Sequence, residues 1–138
     1  MHIRLRHLVL LLLLPTLMLF AGCKRSATSG QVVDLSLTDR IDASGRPVRV
    51  LRSFSVSTDK IYAVAVVSGA GAGERVQARW YLGADLVQES PAVPLPDGAA
   101  RYVNFTLFRR GPNFPAGSFR VEVLLNDRSL RSADFIVG

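Results

Sequence analysis

Val76-Gln77-Ala78-Arg79-Trp80-Tyr81-Leu82 alternates apolar and polar side chains residue by residue. A β-strand turns successive side chains to opposite faces, so Val76, Ala78, Trp80 and Leu82 share one face and Gln77, Arg79 and Tyr81 the other. The first face belongs to a core and the second to a wetter surface. The same period governs Phe119 to Asn126, where Phe119, Val121, Val123 and Leu125 alternate with Arg120, Glu122, Leu124 and Asn126. No stretch of the chain carries a convincing helical period with caps, so these two segments set the class as all-β.

Working outward from them gives more strands of the same kind. Val33, Leu35 and Leu37 alternate with Asp34, Ser36 and Thr38, and the turn Asp42-Ala43-Ser44-Gly45 leads to a second apolar segment, Val48 to Phe54. Lys60 to Val67 is almost continuously apolar, as a strand buried on both faces would be. Glycines and alanines at 69–73 break it. Gly83-Ala84 turns the chain into a short strand, Asp85 to Ser90. Pro91, Pro94, Pro96 and Gly98 mark the next stretch as a loop, because proline cannot donate to a ladder. Val103, Phe105 and Leu107 alternate with Tyr102, Asn104 and Thr106, and Gly111 to Gly117 is a further loop. Asn126-Asp127-Arg128-Ser129 turns the chain into a last strand, Leu130 to Val137. Seven or eight short strands at this spacing predict an antiparallel β-sandwich.

The pattern resembles the immunoglobulin-like and fibronectin-type modules found in extracytoplasmic bacterial proteins. The resemblance covers roughly Phe54 to Val137 and rests on Trp80 in a third-strand position and on Pro115-Ala116-Gly117-Ser118-Phe119-Arg120-Val121-Glu122-Val123 before the last hairpin. Related modules often carry tyrosine where this chain has Phe119, and its hydroxyl ties a corner loop to the backbone. Phe119 offers apolar packing alone. With no cysteine pair between the sheets, burial must hold the fold, and Trp80 is its largest member. The alternative for Trp80 is an exposed ring on which a ligand stacks.

At the start of the chain, a short basic stretch (Arg4, Arg6) precedes an uncharged run from Leu8 to Phe20 with five consecutive leucines. That is the layout of a secretory signal peptide. The run falls short of the roughly 20 apolar residues that a spanning helix needs, and Pro15 interrupts it. Its end, Leu19-Phe20-Ala21-Gly22-Cys23, resembles the lipobox of bacterial lipoproteins, with Phe20 where the family usually has leucine and leucine one place earlier. The resemblance implies cleavage before Cys23, with Leu19, Phe20, Ala21 and Gly22 read by the peptidase, and acyl chains on the Cys23 thiol. An ordinary signal peptide that leaves Cys23 a free thiol is the alternative. Lys24, rather than aspartate, follows the cysteine, which by analogy with enteric relatives points to the outer membrane, facing the periplasm. The expected organisation is a signal peptide at 1–22, a lipidated cysteine and polar tether at 23–30, and a β-sandwich at 31–138.

Removing 22 of the 138 residues leaves 116, enough for one core. Arg4 and Arg6 leave with the signal, so fifteen basic residues face eleven acidic ones, a net charge of +4. An exported chain meets lipid head groups, lipopolysaccharide phosphates, peptidoglycan carboxylates and acidic protein surfaces rather than nucleic acid. Both histidines, His2 and His7, precede the cleavage point. The remaining chain therefore has no imidazole for base catalysis or zinc, and its one cysteine is committed to lipid. A Ser–Lys dyad would need Lys60, which sits beside Asp59, where an ion pair is the simpler expectation. Asp85 and Glu89 would lie about 13 Å apart on a strand, too far for paired-carboxylate hydrolysis. Asp39, Asp42 and Ser44-Gly45 imitate part of a calcium loop but lack the 6–8 oxygens such a site uses, and a polar hairpin turn accounts for them.

The expectation is therefore a non-catalytic module without cofactor or metal, acting by contact with an envelope protein. Its alternative is a module that binds an anionic envelope glycan or lipopolysaccharide, with a hydrolase a remote third. The candidate surface comprises Arg79, Arg109, Arg110, Asn113, Phe114 and Arg120, and the loops Pro91 to Gly98 and Arg109 to Gly117, since loops on rigid sandwiches commonly carry recognition. Phe114 has a second reading, a ring folded back to cap the core.

Overall fold

A computed structural model of the chain describes residues 30–71, 73–95 and 101–138. Nine strands occur there in the order β1 (Gln31–Thr38), β2 (Ser53–Phe54), β3 (Lys60–Ser68), β4 (Arg75–Leu82), β5 (Asp85–Glu89), β6 (Val93–Pro94), β7 (Arg101–Phe108), β8 (Gly117–Leu125) and β9 (Arg128–Val137). They form two sheets, β1-β3-β7 and β2-β9-β8-β4-β5, with β6 pairing the start of β4. All pairs are antiparallel except β2 with β9. The segment from Val48 to Phe54 is mostly irregular: Val48 and Val50 are exposed, and only Ser53–Phe54 joins a sheet. Within the proline stretch expected to be a loop, Val93–Pro94 forms a strand instead, on the sheet edge where a missing N–H costs no ladder bond.

The alternation read from the sequence places the core. Val76, Ala78 and Trp80 of β4, Val121 and Val123 of β8, and Ile61, Ala63 and Ala65 of β3 are all fully buried. Phe135 sits at the centre of an aromatic cluster. Phe54 and Trp80 meet its ring edge to face at 5.6 and 6.0 Å, and Phe119 stacks on it at 5.2 Å. Phe119 thus takes part through its ring.

β3 is buried on both faces, as its composition predicts, because the hairpin at 39–49 laps over the outer face of the small sheet. Val64 points outward yet is buried, and its cross-strand neighbours are Ser36 and Asn104. Gly45 at the hairpin tip lies against Asn104, and the Arg46 guanidinium stands 5.3 Å over the Tyr102 ring. Asp42 shapes the turn itself: its Oδ1 accepts from the Ser44 and Arg46 amides at 2.8 and 2.9 Å and from the Ser44 hydroxyl at 2.7 Å. Asp39 is spent on Arg49, whose Nε donates to it at 3.0 Å. Both carboxylates are thus engaged within the hairpin, and among the described residues no cluster of potential metal ligands occurs.

The hydrogen bond from Ser44 and those from the Arg46 and Ser44 amides hold the Asp42 carboxyl below the usual aspartate range, and the bond from Arg49 does the same for Asp39. A depressed carboxyl contributes stability that is whole above its unfolded value, about 3.9, and lost as pH falls through the lower folded value. The urea midpoint of the protein should accordingly hold from neutrality to about pH 4 and fall below it. The fall should be smaller in Asp42→Asn; an equal fall would place the acid-sensitive groups elsewhere. Gly45, at φ +81°, allows only glycine without strain, and an added Cβ would lie 2.8 Å from Asn104 Nδ2. Gly45→Val should cost about 1–3 kcal/mol from backbone strain, measured in the same urea titration, and a neutral result would mean that the hairpin does not rest on the sheet.

Candidate functional site

The strand directions sort the connections to two poles. β1 begins opposite the end of β3, at Gln31 and Ser68, so the entry to the domain shares its pole with the starts of β4, β7 and β9. The Glu74 carboxylate fixes that entry, accepting from the Gly30 amide at 3.1 Å and the Gly71 amide at 2.7 Å. At the opposite pole β3, β5 and β8 begin and β4, β7 and β9 end. Strands of eight to ten residues separate the poles by roughly 25–30 Å at about 3.3 Å per residue. The two loops expected to carry recognition therefore do not act together. Pro91 to Leu95 runs to the entry pole, with Pro96 to Gly98 outside the described residues, while Arg109 to Gly117 lies at the far pole.

The far-pole loop is held rigidly. The Phe114 amide donates to Val56 O at 2.8 Å, and Arg109 Nη1 donates to Ser57 O at 3.0 Å. Arg109 also stands 3.7 Å from Asp59, the partner that adjacency had suggested for Lys60. Arg110 Nη2 donates to Val87 O at 3.1 Å. The Phe114 ring is not on the surface: it is 4% exposed and joins the core, so it leaves the candidate surface and its capping reading holds. Asn113 is exposed beside it.

Arg79 and Arg120 lie elsewhere, on the outer face of the large sheet. Arg79 Nε bonds Glu89 at 2.9 Å, which raises the guanidinium pKa further. Arg120 lies 5.0 Å over the Tyr81 ring. Glu122 is the cross-strand neighbour of Arg79, and Asp134 that of Arg120. The face carries interleaved charge of both signs, and the four candidate arginines form no single basic patch.

What the far pole adds is an apolar cavity of about 340 Å³ between β5 and β7, lined by Leu86, Leu107, Phe108, Phe114 and Phe119, with Arg110 the one charged lining residue. A groove of about 530 Å³ continues from it along β7 past Asn104 and Thr106 to Val93. Gln88, Phe108 and Arg110 line both. Gln88 spans the two sheets here, its Nε2 donating to Thr106 O at 2.7 Å and its Oε1 accepting from the Phe108 amide at 3.1 Å. Sequence reasoning missed Leu86, Gln88 and Phe108. Phe108 carried a signal, since it continues the outward series of Tyr102, Asn104 and Thr106 with an aromatic ring. Leu19 to Cys23 lie outside the described residues.

No protein-family profile matches the chain, and no curated protein sequence does. Solved structures do. An immunoglobulin-like protein from Pseudomonas aeruginosa superposes over 81% of this chain and 99% of its own, at 14% identity and a TM-score of 0.59. A domain of an alkylpurine DNA glycosylase from Pseudomonas fluorescens, bound to DNA containing an abasic-site analogue, superposes over 80% of this chain at 16% identity and a TM-score of 0.56. This chain spans only 30% of that glycosylase. At such identities the likeness concerns architecture, and it establishes an immunoglobulin-like β-sandwich.

Proposed function

We propose that the protein is a lipid-anchored, non-catalytic module of the cell envelope that recognises a protein partner through the pole farthest from its tether. The observation that carries this reading is the polarity of the domain. Gly30 enters at one end, and the rigid loop with Arg109, Arg110 and Asn113 stands at the other, above an apolar cavity. Acyl chains on Cys23 would seat the entry pole toward the membrane, and the far pole would then face the periplasm. The dispersal of Arg79 and Arg120 among carboxylates favours a protein contact over an anionic glycan or lipopolysaccharide.

A photo-crosslinking residue placed at exposed Asn113 should capture a discrete protein in intact envelopes, whereas one at Asp127, on the entry pole, should not. Equal capture from both positions, or none from Asn113, would end this reading. Sedimentation with purified peptidoglycan or lipopolysaccharide should be weak and indifferent to Arg79→Ala and Arg120→Ala.

A further inference from the structure

We propose that the edge of β7 is a receptor for an extended peptide, which adds a strand at Asn104–Thr106, sets an apolar side chain in the cavity beside Phe108 and pairs an acidic residue with Arg110. This deepens the reading of the domain as a protein-contact module and rests on it.

β7 is the edge strand of a three-stranded sheet. Thr106 O and the Phe108 amide both point away from β3, to Gln88. Because a residue's N–H and C=O leave a strand on the same side and alternate along it, Tyr102, Asn104 and Thr106 direct their backbone groups to that open side as well. The two bonds from the Gln88 carboxamide are those a peptide unit of a neighbouring strand would make. One rung of an added strand is thus already imitated by a side chain, and the rungs at Asn104 and the Thr106 amide are left for an incoming backbone.

Edge strands are ordinarily blunted by lysine, proline, bulges or short length. β7 runs eight residues with no lysine, proline or register shift against β3. Its rim is apolar instead: Tyr102 and Phe108 are 40% and 57% exposed, and Leu86 and Val93 across the groove are 51% and 45% exposed. Leu86 and Val93 stand opposite Tyr81 and Val76 of β4, so the edge between them extends roughly 17 Å at about 3.3 Å per residue, the span of a five- or six-residue strand.

The charge of the site states the partner's chemistry. Arg110 is anchored through Nη2 to Val87 O and lines both the cavity and the groove. Among the described residues no carboxylate lies within ion-pair distance of it, and the one acid lining the longer groove, Glu89, is held by Arg79. A guanidinium fixed beside an apolar cavity suits a carboxylate next to an aromatic or branched side chain. Main-chain pairing of this kind supplies affinity and the side-chain pockets supply selectivity.

The test pans the full chain, in detergent micelles, against a displayed library of random twelve-residue peptides and synthesises the consensus. Enriched sequences should pair an acidic residue with an adjacent aromatic or branched one. The consensus peptide should slow hydrogen exchange of the Asn104 and Thr106 amides at least tenfold. Arg110→Glu should weaken it at least tenfold. Thr106→Pro, which removes an outward N–H while sparing the β3 ladder, should do the same, and Phe108→Asp serves if that variant fails to fold. No enrichment, protection confined to amides outside β7, or wild-type affinity in Arg110→Glu overturns the proposal. If Asn113 still captures a protein in envelopes when any of these occurs, only the strand-addition mechanism falls and the contact module stands.

Discussion

Trp80→Ala is expected to lower the melting temperature by roughly 12–20 °C, at about 4 °C per kcal/mol. The indole is wholly buried among Val76, Ala78 and Phe135, and no disulfide shares its task. Truncating a buried tryptophan costs about 3–5 kcal/mol, a large part of the 5–15 kcal/mol that holds a small domain folded. That cost sets the size of the shift. The neighbours cannot easily collapse into the space, because Phe135 is fixed by three ring contacts and β4 is paired on both sides. Trp80→Phe should cost much less. It keeps most of the volume and removes the indole N–H, which is buried with no acceptor and so contributes an unmet desolvation cost. A Trp80→Ala variant melting within a few degrees of wild type would show that this side chain does not organise the core. The alternative of an exposed, ligand-stacking Trp80 is already inconsistent with its zero exposure.

What could be read from the sequence was what alternation encodes. The inward series of β4, β7 and β8 was legible because a period of two fixes which residues meet, but Gln77 and Leu124, cross-strand neighbours expected on the wetter face, are buried as well. β3 was legible for the opposite reason, its unbroken apolar run, but the hairpin that covers its second face was not. Nothing local in Asp42-Ala43-Ser44-Gly45 tells which sheet a turn will rest on; that depends on Gly45 fitting against Asn104, 59 positions later. β2 and β6 were invisible because two residues show no period, and their partners, β9 and β4, are chosen by long-range pairing. Phe114 was ambiguous because a loop between Pro112 and Pro115 has no period from which to infer a face. Gln88 was missed altogether. A bulge between Trp80 and Tyr81 shifts β5 by one residue, so Gln88 stands opposite Trp80, and its amide finds partners only in the other sheet. The candidate arginines were found as residues but not as a site, since their grouping follows from which pole each strand ends at.

Cys23→Ser is expected to remove the lipid anchor altogether while leaving the melting temperature unchanged. Serine cannot carry the thioether-linked lipid, so the variant should either stay unprocessed, with residues 1–22 in place, or be released in soluble form. Burial of acyl chains contributes about 0.8 kcal/mol per methylene, and one chain alone binds marginally, with an association constant of about 10⁴ M⁻¹. Several chains on one residue make a stable anchor, and losing all of them leaves no graded remnant to measure. Among its described residues the domain has no helix long and apolar enough to cross a membrane. Its exposed apolar side chains also divide between two edges rather than forming one face. Val33, Val50 and Ile136 lie toward β1 and β9, and Leu86, Tyr102 and Phe108 toward β5 and β7. The sandwich should be indifferent, because its first strand starts at Gln31 and Glu74 secures the entry through Gly30. Fractionation of envelopes, with a mass measurement on both forms, reads the result directly. Full retention of Cys23→Ser in the membrane fraction, at a mass consistent with cleavage, would mean that the protein is held by something other than lipid on this cysteine. A second experiment would then decide between the two poles: if Asn113 no longer captures its partner once the domain is released, the anchor serves to present the far pole at a fixed height above the bilayer. Undiminished capture in solution would make the lipid an address alone, and the recognition surface independent of it.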